Sequence, residues 1–301
     1  MQKVKPVIYL YIIIAILLWG FSFIWTNQLL LLNIPIFTFI TIRMILAGAI
    51  LLIVSLAIGK LQKIDKKDWP LILLMALFEP FIYFIGESYG MKMTASPTIS
   101  AIIIATIPLF TLISGQIFFK EYITKINVIG IVATIPGILL MVMDNSSFTV
   151  EYWHGILLLF LAVFGAVGYS TCVKRLADKY NSFTIATWQF LIAAIYFLPL
   201  YIFIDMEKMP LTQLLNAEVL VPLISLALLC SCLAFVLYIN AIKGLGITKA
   251  AVFSTLIPAI SAFGAYMAGH ETFTPLQIMG IGVVISGVIL AQYQKKQSVK
   301  K

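Results

Sequence analysis

The chain has 301 residues, 62% of them hydrophobic and 11% charged, and its mean hydropathy is +1.06. Soluble domains carry roughly 45–50% apolar and about 25% charged residues, so this composition excludes a water-soluble globular protein and indicates lipid as the solvent. The formal net charge is +8, but the basic residues form short clusters between apolar runs, and no basic face is interleaved with aromatics. We therefore expect the lipid bilayer, and no nucleic acid, as a partner.

Apolar runs long enough to span a membrane follow one another along the whole chain. A helix needs about 20 mostly apolar residues to cross the hydrocarbon core. The first run is too long for the apolar region of a signal peptide and lacks a small-residue cleavage site, so we expect it to stay as a spanning helix. The connections are short and predict no soluble catalytic domain. The runs lie at roughly 7–27, 35–58, 70–90, 96–118, 126–143, 153–173, 183–204, 219–242, 250–268 and 275–293.

The distribution of lysine and arginine predicts the orientation in the membrane. Cytoplasmic loops carry an excess of these residues, and with the N-terminus inside, 17 of the 20 basic residues fall in cytoplasmic segments. The outer loops hold only Lys92 and Lys208, and Arg43 lies within the second run. The predicted fold class is an all-α integral membrane protein with ten transmembrane helices and with the N- and C-termini cytoplasmic. We expect a multi-pass protein of the inner (plasma) membrane.

An internal repeat divides the chain into two halves. Residues 98–140 align without a gap with residues 248–290, and the four residues WGFS that begin at Trp19 match VGYS, which begins at Val167. The sequence therefore predicts two five-helix repeats, 1–147 and 148–301. An odd number of spans inserts the second repeat in the opposite orientation, as is typical of secondary transporters. The matched pairs include Pro108/Pro258, Glu121/Glu271, Gly130/Gly280 and Gly137/Gly287.

The duplicated segments also carry a family resemblance. Residues 89–140 and 241–290 each show a Thr-x-Ala-like start, a proline in mid-helix, a loop glutamate with threonine three residues later, and two glycines seven residues apart. This pattern resembles the EamA-type family of the drug/metabolite transporter superfamily. The resemblance implies a carrier of ten helices that exports small metabolites, commonly amino acids or related amphipathic compounds, through a central cavity between the halves. Glu79 and Glu87 in the third span depart from the usual pattern of that family.

The matched residues of the repeat have different expected roles. Pro108 and Pro258 each remove a backbone donor in mid-span, and we interpret them as hinges beside the substrate, the alternative being a static kink that improves packing. The four matched glycines lie two turns apart on one helix face and predict close helix packing. Glu121 and Glu271 lie at helix boundaries, where a carboxylate caps backbone N–H groups.

No motif predicts a cofactor or a metal site. The segment GHETF at residues 269–273 begins like a zinc-protease motif, but Thr274 stands where the second histidine ligand would be, and His154 is the only other histidine. We interpret the cysteines, which show no metal-like spacing, as small apolar core residues: Cys172, Cys230 and Cys232.

Aromatic and hydroxyl side chains within the spans are candidates for lining the cavity. Trp19 and Tyr169 lie at nearly equivalent places in the two halves, and an aromatic pocket with few polar groups suits amphipathic solutes. Tyr83 and Tyr238 are further aromatic candidates. Polar side chains in the fourth, eighth and ninth spans either bond the substrate or bond back to their own helix; they are Ser100, Thr106, Asn240, Ser254 and Thr255.

Arg43, Glu79 and Glu87 are the ionisable residues predicted deep within the spans. Charged groups there cost about 2.5–3.5 kcal/mol each and nearly always face the bundle interior or water. Glu79, Tyr83 and Glu87 follow one another at intervals of four residues and so lie on one helix face. One alternative is a structural ion pair between Arg43 and either glutamate. Since one arginine serves two acids, we expect one carboxylate, for which we favour Glu79, to be left for a proton or an ammonium group.

The sequence thus predicts a secondary transporter that exports small amphipathic metabolites by alternating access. Proton coupling through Glu79 or Glu87 is part of this hypothesis, and we expect the protein to function as a monomer with a small-molecule substrate. Cationic drugs or nucleosides are the alternative substrates. An intramembrane enzyme that uses the two carboxylates is the alternative of another class, and it is disfavoured because both glutamates lie on one helix.

Overall fold

The computed structural model describes residues 6–119, 124–143, 150–209, 211–245, 247–269 and 274–291. These ranges are helical, with no strand among them. Short 3₁₀ helices at Lys66–Asp68 and Leu211–Leu215 lie in connections. The helices are α1 (Pro6–Leu31), α2 (Ile36–Ala57), α3 (Trp69–Ala76, Leu77–Ile82 and Tyr83–Thr94), α4 (Pro97–Ile104 and Ile107–Phe119), α5 (Lys125–Met143), α6 (Val150–Ala177), α7 (Ser182–Leu200, continued by Tyr201–Asp205), α8 (Ala217–Ser225, Leu226–Leu233 and Ala234–Leu245), α9 (Ile247–Phe253, Ser254–Leu256 and Ile257–Met267) and α10 (Pro275–Ala291).

Seven of these helices are long and apolar enough to cross a membrane, namely α1, α2, α3, α4, α6, α7 and α8. The other three predicted spans correspond to shorter apolar stretches, Val128–Gly137 in α5, Ser254–Met267 in α9 and Pro275–Gly287 in α10. The protein is therefore an all-helical membrane protein with at least seven candidate spans in the part of the chain that is described.

The helices α4 and α9 are both interrupted just before the matched prolines. A proline ring clashes with the carbonyl group four residues earlier and cannot donate a backbone hydrogen bond, and the first part of α4 ends at Ile104, four residues before Pro108. The first part of α9 ends at Phe253, and Ser254 lies four residues before Pro258. Each proline then stands in the first turn of the next segment, a position that proline tolerates.

Contacts between helices repeat themselves when the two halves are exchanged. The contact of α1 with α8 has its counterpart in that of α6 with α3, and the contact of α1 with α9 has its counterpart in that of α6 with α4. The pairs α2–α7, α4–α9 and α5–α10 each join equivalent helices of the two halves. The halves are thus interleaved around a shared interior and do not form separate bodies.

Glycines allow some of these helices to approach each other closely. A Cβ added at Gly137 of α5 would lie 2.9 Å from the backbone nitrogen of Val284 and 3.0 Å from the carbonyl oxygen of Gly280, both in α10. Gly130 and Gly287 are buried as well. Gly137 and Gly280 therefore lie at the contact of α5 with α10, where the halves meet, and the packing role of Gly130 and Gly287 stays a prediction. Glu121 and Glu271, for which helix capping was predicted, lie outside the described residues.

Candidate functional site

A cavity lies between the two halves, in the interior that the helices share. Its volume is about 60 Å³. That is room for a few water molecules, well below the roughly 300–1,000 Å³ of pockets that hold drug-sized ligands, so the cavity is narrow in this conformation. The lining residues come from α1, α2, α3, α4, α6, α8 and α9: Trp19, Ser22, Phe23, Arg43, Glu79, Tyr83, Phe84, Glu87, Ile104, Ile107, Ala166, Tyr169, Ser170, Phe235, Tyr238, Ser254 and Ile257.

Trp19 anchors the aromatic wall of the cavity. The centre of its ring lies 4.6 Å from that of Tyr238 and 5.1 Å from that of Phe235, within the range of favourable aromatic contacts. Its indole Nε1–H donates to the carbonyl oxygen of Cys230 over 3.1 Å. This hydrogen bond joins α1 to α8 and fixes the position of the indole at the cavity.

The backbone of α3 departs from helical geometry at Glu79, where φ is −146° and ψ is 120°. The amide nitrogen of Gln189 on α7 donates to the Glu79 carbonyl oxygen over 3.3 Å, and the Gln189 side-chain oxygen accepts from the hydroxyl of Tyr169 over 3.3 Å. Gln189 and Tyr169 are almost completely buried. A polar chain from α6 through α7 to α3 therefore satisfies the interrupted backbone and supports the segment that presents Glu79.

The two glutamates differ in their partners. Both are buried, with Glu79 7% and Glu87 4% exposed, and both line the cavity. The Tyr83 hydroxyl donates to the Glu87 carboxylate over 3.2 Å. The carboxylate of Glu79 has neither a hydrogen bond nor an ion pair within the described parts of the chain. Glu79 is therefore the acid that has no protein partner within the cavity.

The predicted ion pair between Arg43 and a glutamate does not form in this conformation, in which no carboxylate oxygen of the described residues lies within 4.0 Å of the guanidinium. Arg43 is 3% exposed, and its Nε–H donates to the hydroxyl of Ser231 on α8 over 2.8 Å. Its guanidinium carbon lies 4.1 Å from the ring centre of Phe84, a cation–π contact. The sequence argument missed Ser231 because its hydroxyl is reached from another helix, 188 residues along the chain.

Not all of the polar candidates face the cavity. The hydroxyl of Ser100 donates to the Ser96 carbonyl over 2.9 Å, and the Asn240 amide donates to the Val236 carbonyl over 2.9 Å. Neither lines the cavity, so these two follow the alternative in which a polar side chain bonds its own helix. Ser254 does line the cavity, although its hydroxyl donates to Ala251 over 2.7 Å. Of the expected polar patch, Ser254 alone is among the residues that line the cavity.

Two cavity serines escaped the sequence analysis although a signal for them was present. Ser22 and Ser170 are the last residues of the matched WGFS and VGYS segments, and both line the cavity. The repeat thus carried the information that this position is equivalent in the two halves. It did not show which side of the helix faces the interior.

Among the residues that the structure describes, no group of three or more His, Cys, Asp or Glu side chains could hold a metal ion. The three cysteines are buried and free of disulfides. Glu271 and its neighbours in the GHETF segment lie outside the described residues, so the interpretation of that motif stays a prediction.

A polar cluster closes one end of the bundle outside the spans. Asp68 accepts hydrogen bonds of 2.8 Å from the ammonium group of Lys179 and of 2.8 Å from the hydroxyl of Tyr180. The hydrogen bond that Lys179 donates to the Asp68 carboxylate raises the pKa of Lys179 above its ordinary value of 10.5. This cluster ties the α2–α3 connection to the α6–α7 connection.

Comparison with known proteins gives consistent matches over nearly the whole chain. The model of the EamA-like transporter family matches residues 6–143 and again residues 153–293. The uncharacterized transporter YetK of Bacillus subtilis (strain 168) is 24% identical over 287 residues, which cover 92% of this chain and 84% of YetK. The WAT1-related protein At3g02690, chloroplastic, of Arabidopsis thaliana is 25% identical over 292 residues, which cover 91% of this chain and 67% of that protein.

A solved crystal structure superposes with a TM-score of 0.72, covering 95% of this chain and 96% of the other, at 18% sequence identity. At this identity the likeness shows a common fold alone.

Proposed function

The chain belongs to the EamA-like transporter family, and from this premise we propose that it is a secondary transporter that exports small amphipathic metabolites through the central cavity. Membership in the family makes it a membrane transporter. The substrate, the direction of transport, the coupling to protons and alternating access belong to our proposal.

In the proposed arrangement all ten helices cross the inner (plasma) membrane, with both termini in the cytoplasm. The repeats 1–147 and 148–301 then have opposite orientations. The two matches to one family model, the interleaved helix contacts and the placement of 17 of the 20 basic residues in cytoplasmic segments support this topology. We further propose that the monomer is the functional unit, because residues from both halves of one chain enclose the cavity.

The observation that carries the proposed chemistry is the unpartnered carboxylate of Glu79 in a cavity with aromatic walls. A charge buried in a spanning segment is costly unless it is paired or neutralised. A substrate ammonium group can pair with the carboxylate, and the faces of Trp19 and Tyr238 attract cations. We therefore propose a substrate with a protonated amine and an apolar body, such as an amino acid or a related compound.

Proton exchange at the same carboxylate would couple transport to the proton gradient. When the substrate leaves, Glu79 can regain neutrality only by taking up a proton or another cation, since no basic residue is paired with it in the described parts of the chain. A proton and the substrate then cannot bind Glu79 at the same time, and this mutual exclusion is what the exchange of substrate for protons requires. Glu87, held by Tyr83, has a secondary part in this scheme.

Cationic drugs are the second candidate substrates, and one observation favours them over nucleosides. Two carboxylates and one guanidinium line the cavity, so a positively charged solute complements it better than a neutral one. The family membership argues against the intramembrane enzyme considered from the sequence.

The test is transport in proteoliposomes across a panel of metabolites and cationic drugs, with and without a pH gradient. We expect uptake of amine-bearing compounds that the gradient stimulates. A hydrogen bond to a charged group contributes about 1.5–3 kcal/mol, so Glu79→Gln should weaken apparent substrate affinity about 10- to 150-fold and abolish the effect of the gradient.

Glu87→Gln is the matched control, because the glutamine side-chain oxygen still accepts the hydrogen bond from Tyr83. We expect it to keep the effect of the gradient. If both variants transport like the parent at every pH, the carboxylate mechanism is wrong. If the panel shows hydrolysis and no uptake, the proposed function itself is wrong.

A further inference from the structure

A small crevice, lined in part by hydroxyl side chains, adjoins the central cavity on one side. Its volume is about 10 Å³, which is space for about one water molecule. Ser170 lines both the cavity and the crevice. From Ser170 the crevice extends between α4 and α6 past Thr111, Ser114 and Thr171 to Lys174. A line of hydroxyl groups thus leads from the cavity toward the end of the bundle that carries Lys174.

The hydroxyl groups of this crevice are weakly tied. The oxygens of Ser114 and Thr171 lie 3.4 Å apart, and Thr171 also donates to the carbonyl of Val167 over 2.9 Å. The hydroxyl oxygen of Thr111 is buried and has no hydrogen-bond partner within the described ranges. A buried hydroxyl without a partner is unfavourable, and water in the crevice would satisfy it.

The equivalent route at the opposite end of the bundle is sealed by apolar contacts. In the repeat, Thr111 corresponds to Ser261 and Ser114 corresponds to Gly264. The hydroxyl of Ser261 donates to the carbonyl oxygen of Pro97 over 3.5 Å, a hydrogen bond as weak as that between Ser114 and Thr171. A Cβ added at Gly264 would overlap the side chain of Ile24, so α1 and α9 are in direct contact there.

A second glycine strengthens the same seal. A Cβ added at Gly20 of α1 would overlap the side chain of Ile260 on α9. In the other half, Gly168 corresponds to Gly20 and Phe110 corresponds to Ile260. These two residues do not meet in the same way. Gly168 is covered by Phe78 of α3, whereas the ring of Phe110 lies 5.3 Å from that of Phe164. The glycine contacts that close α1 against α9 are therefore not repeated between α4 and α6, where contacts between aromatic rings take their place.

From this asymmetry we propose that the cavity exchanges water and protons through the crevice between α4 and α6, with the hydrogen-bonded pair of Ser114 and Thr171 as its gate. The seal between α1 and α9 closes the other route in this conformation. The side of the membrane that the crevice reaches rests on the proposed function. With Lys174 in a cytoplasmic segment, Glu79 exchanges protons with the cytoplasm in this conformation.

The test compares two equivalent positions, Thr111→Cys and Ser261→Cys, each a small substitution of a hydroxyl by a thiol. The label is the silver ion, which binds thiols and is close in size to a water molecule; it is added to each face of the membrane separately, in right-side-out and inside-out vesicles. Thiols that stay unlabelled are then counted with a maleimide after denaturation. Arg175→Cys, at an exposed position near Lys174, shows which face is which. The parent chain, whose native cysteines are buried, measures the background, and gel filtration checks the fold.

We expect Thr111→Cys to be labelled only from the face that labels Arg175→Cys, and at least about tenfold faster than Ser261→Cys from either face, a ratio equivalent to about 1.4 kcal/mol. Equal rates for the two variants, or faster labelling of Ser261→Cys, would overturn the proposal. Labelling shows the route independently of transport, so an absence of transport in proteoliposomes would contradict the proposed function and leave this result in place.

Discussion

Replacing Gly86 with alanine should separate α3 from α6 and displace the cavity carboxylates. Gly86 lies next to Glu87 in α3 and packs against the backbone of α6. An added Cβ would lie 2.5 Å from the carbonyl oxygen of Leu158 and 2.9 Å from the backbone nitrogen of Ala162. Both neighbours are backbone atoms, so no side chain can turn away, and the helices must move apart by about 0.9 Å to reach the 3.4 Å of ordinary contact.

Overpacking of this kind costs about 1–3 kcal/mol. Alanine recovers about 0.5–1 kcal/mol of helix stability relative to glycine, and the matched control Gly282→Ala has that gain alone, since nothing lies within 4 Å of its added Cβ. At about 2 °C per kcal/mol for a chain of this size, we expect Gly86→Ala to melt roughly 2–6 °C below Gly282→Ala.

The assay is the temperature at which the detergent-solubilised protein loses its monodisperse gel-filtration peak. Transport by Gly86→Ala should also fall, because a shift of α3 moves Tyr83 and Glu87. If Gly86→Ala melts at or above the temperature of Gly282→Ala and transports like the parent, then α3 and α6 do not pack at this glycine as described.

Two further predictions concern buried and surface charges. Arg43→Lys removes the Nε–H donor and the planar cation, so we expect it to lower the free energy of unfolding by about 1.5–3 kcal/mol. Ser231→Ala should lower it by a similar amount, and the double variant by little more than either single variant. Losses that add in the double variant would disprove the contact between the two side chains. Lys179→Met should lower stability by an amount that is unchanged from neutral pH up to about pH 10. The raised folded-state pKa of Lys179 keeps the ion pair with Asp68 fully stabilising below the unfolded-state pKa, and this stabilisation is lost as pH rises through the folded-state pKa. Chemical unfolding at several pH values measures the difference, and equal stabilities of the parent and the variant at neutral pH would contradict it.

Properties that depend on local composition were predictable from the sequence. The second span was predicted at 35–58 and is the helix Ile36–Ala57, because span length is set by the thickness of the bilayer core. The interruptions before Pro108 and Pro258 follow from the missing backbone donor and the ring of proline. The family followed from the spacing of residues in the two repeats, and the family match covers both.

Only the tertiary structure decided which groups meet. Arg43 has Ser231 as its partner, and Glu79 is held through Gln189, yet each pair joins distant parts of the chain. Ser100 and Asn240 bond their own helices and not the cavity. The physical reason is the solvent: in lipid both the outer and the inner faces of a helix are largely apolar, so hydrophobic periodicity, which orients helices in water, does not reveal which face is inside. The sequence by itself therefore determined that helices cross a bilayer and that the chain is duplicated, while helix packing determined the cavity, its unpaired carboxylate and its closed side.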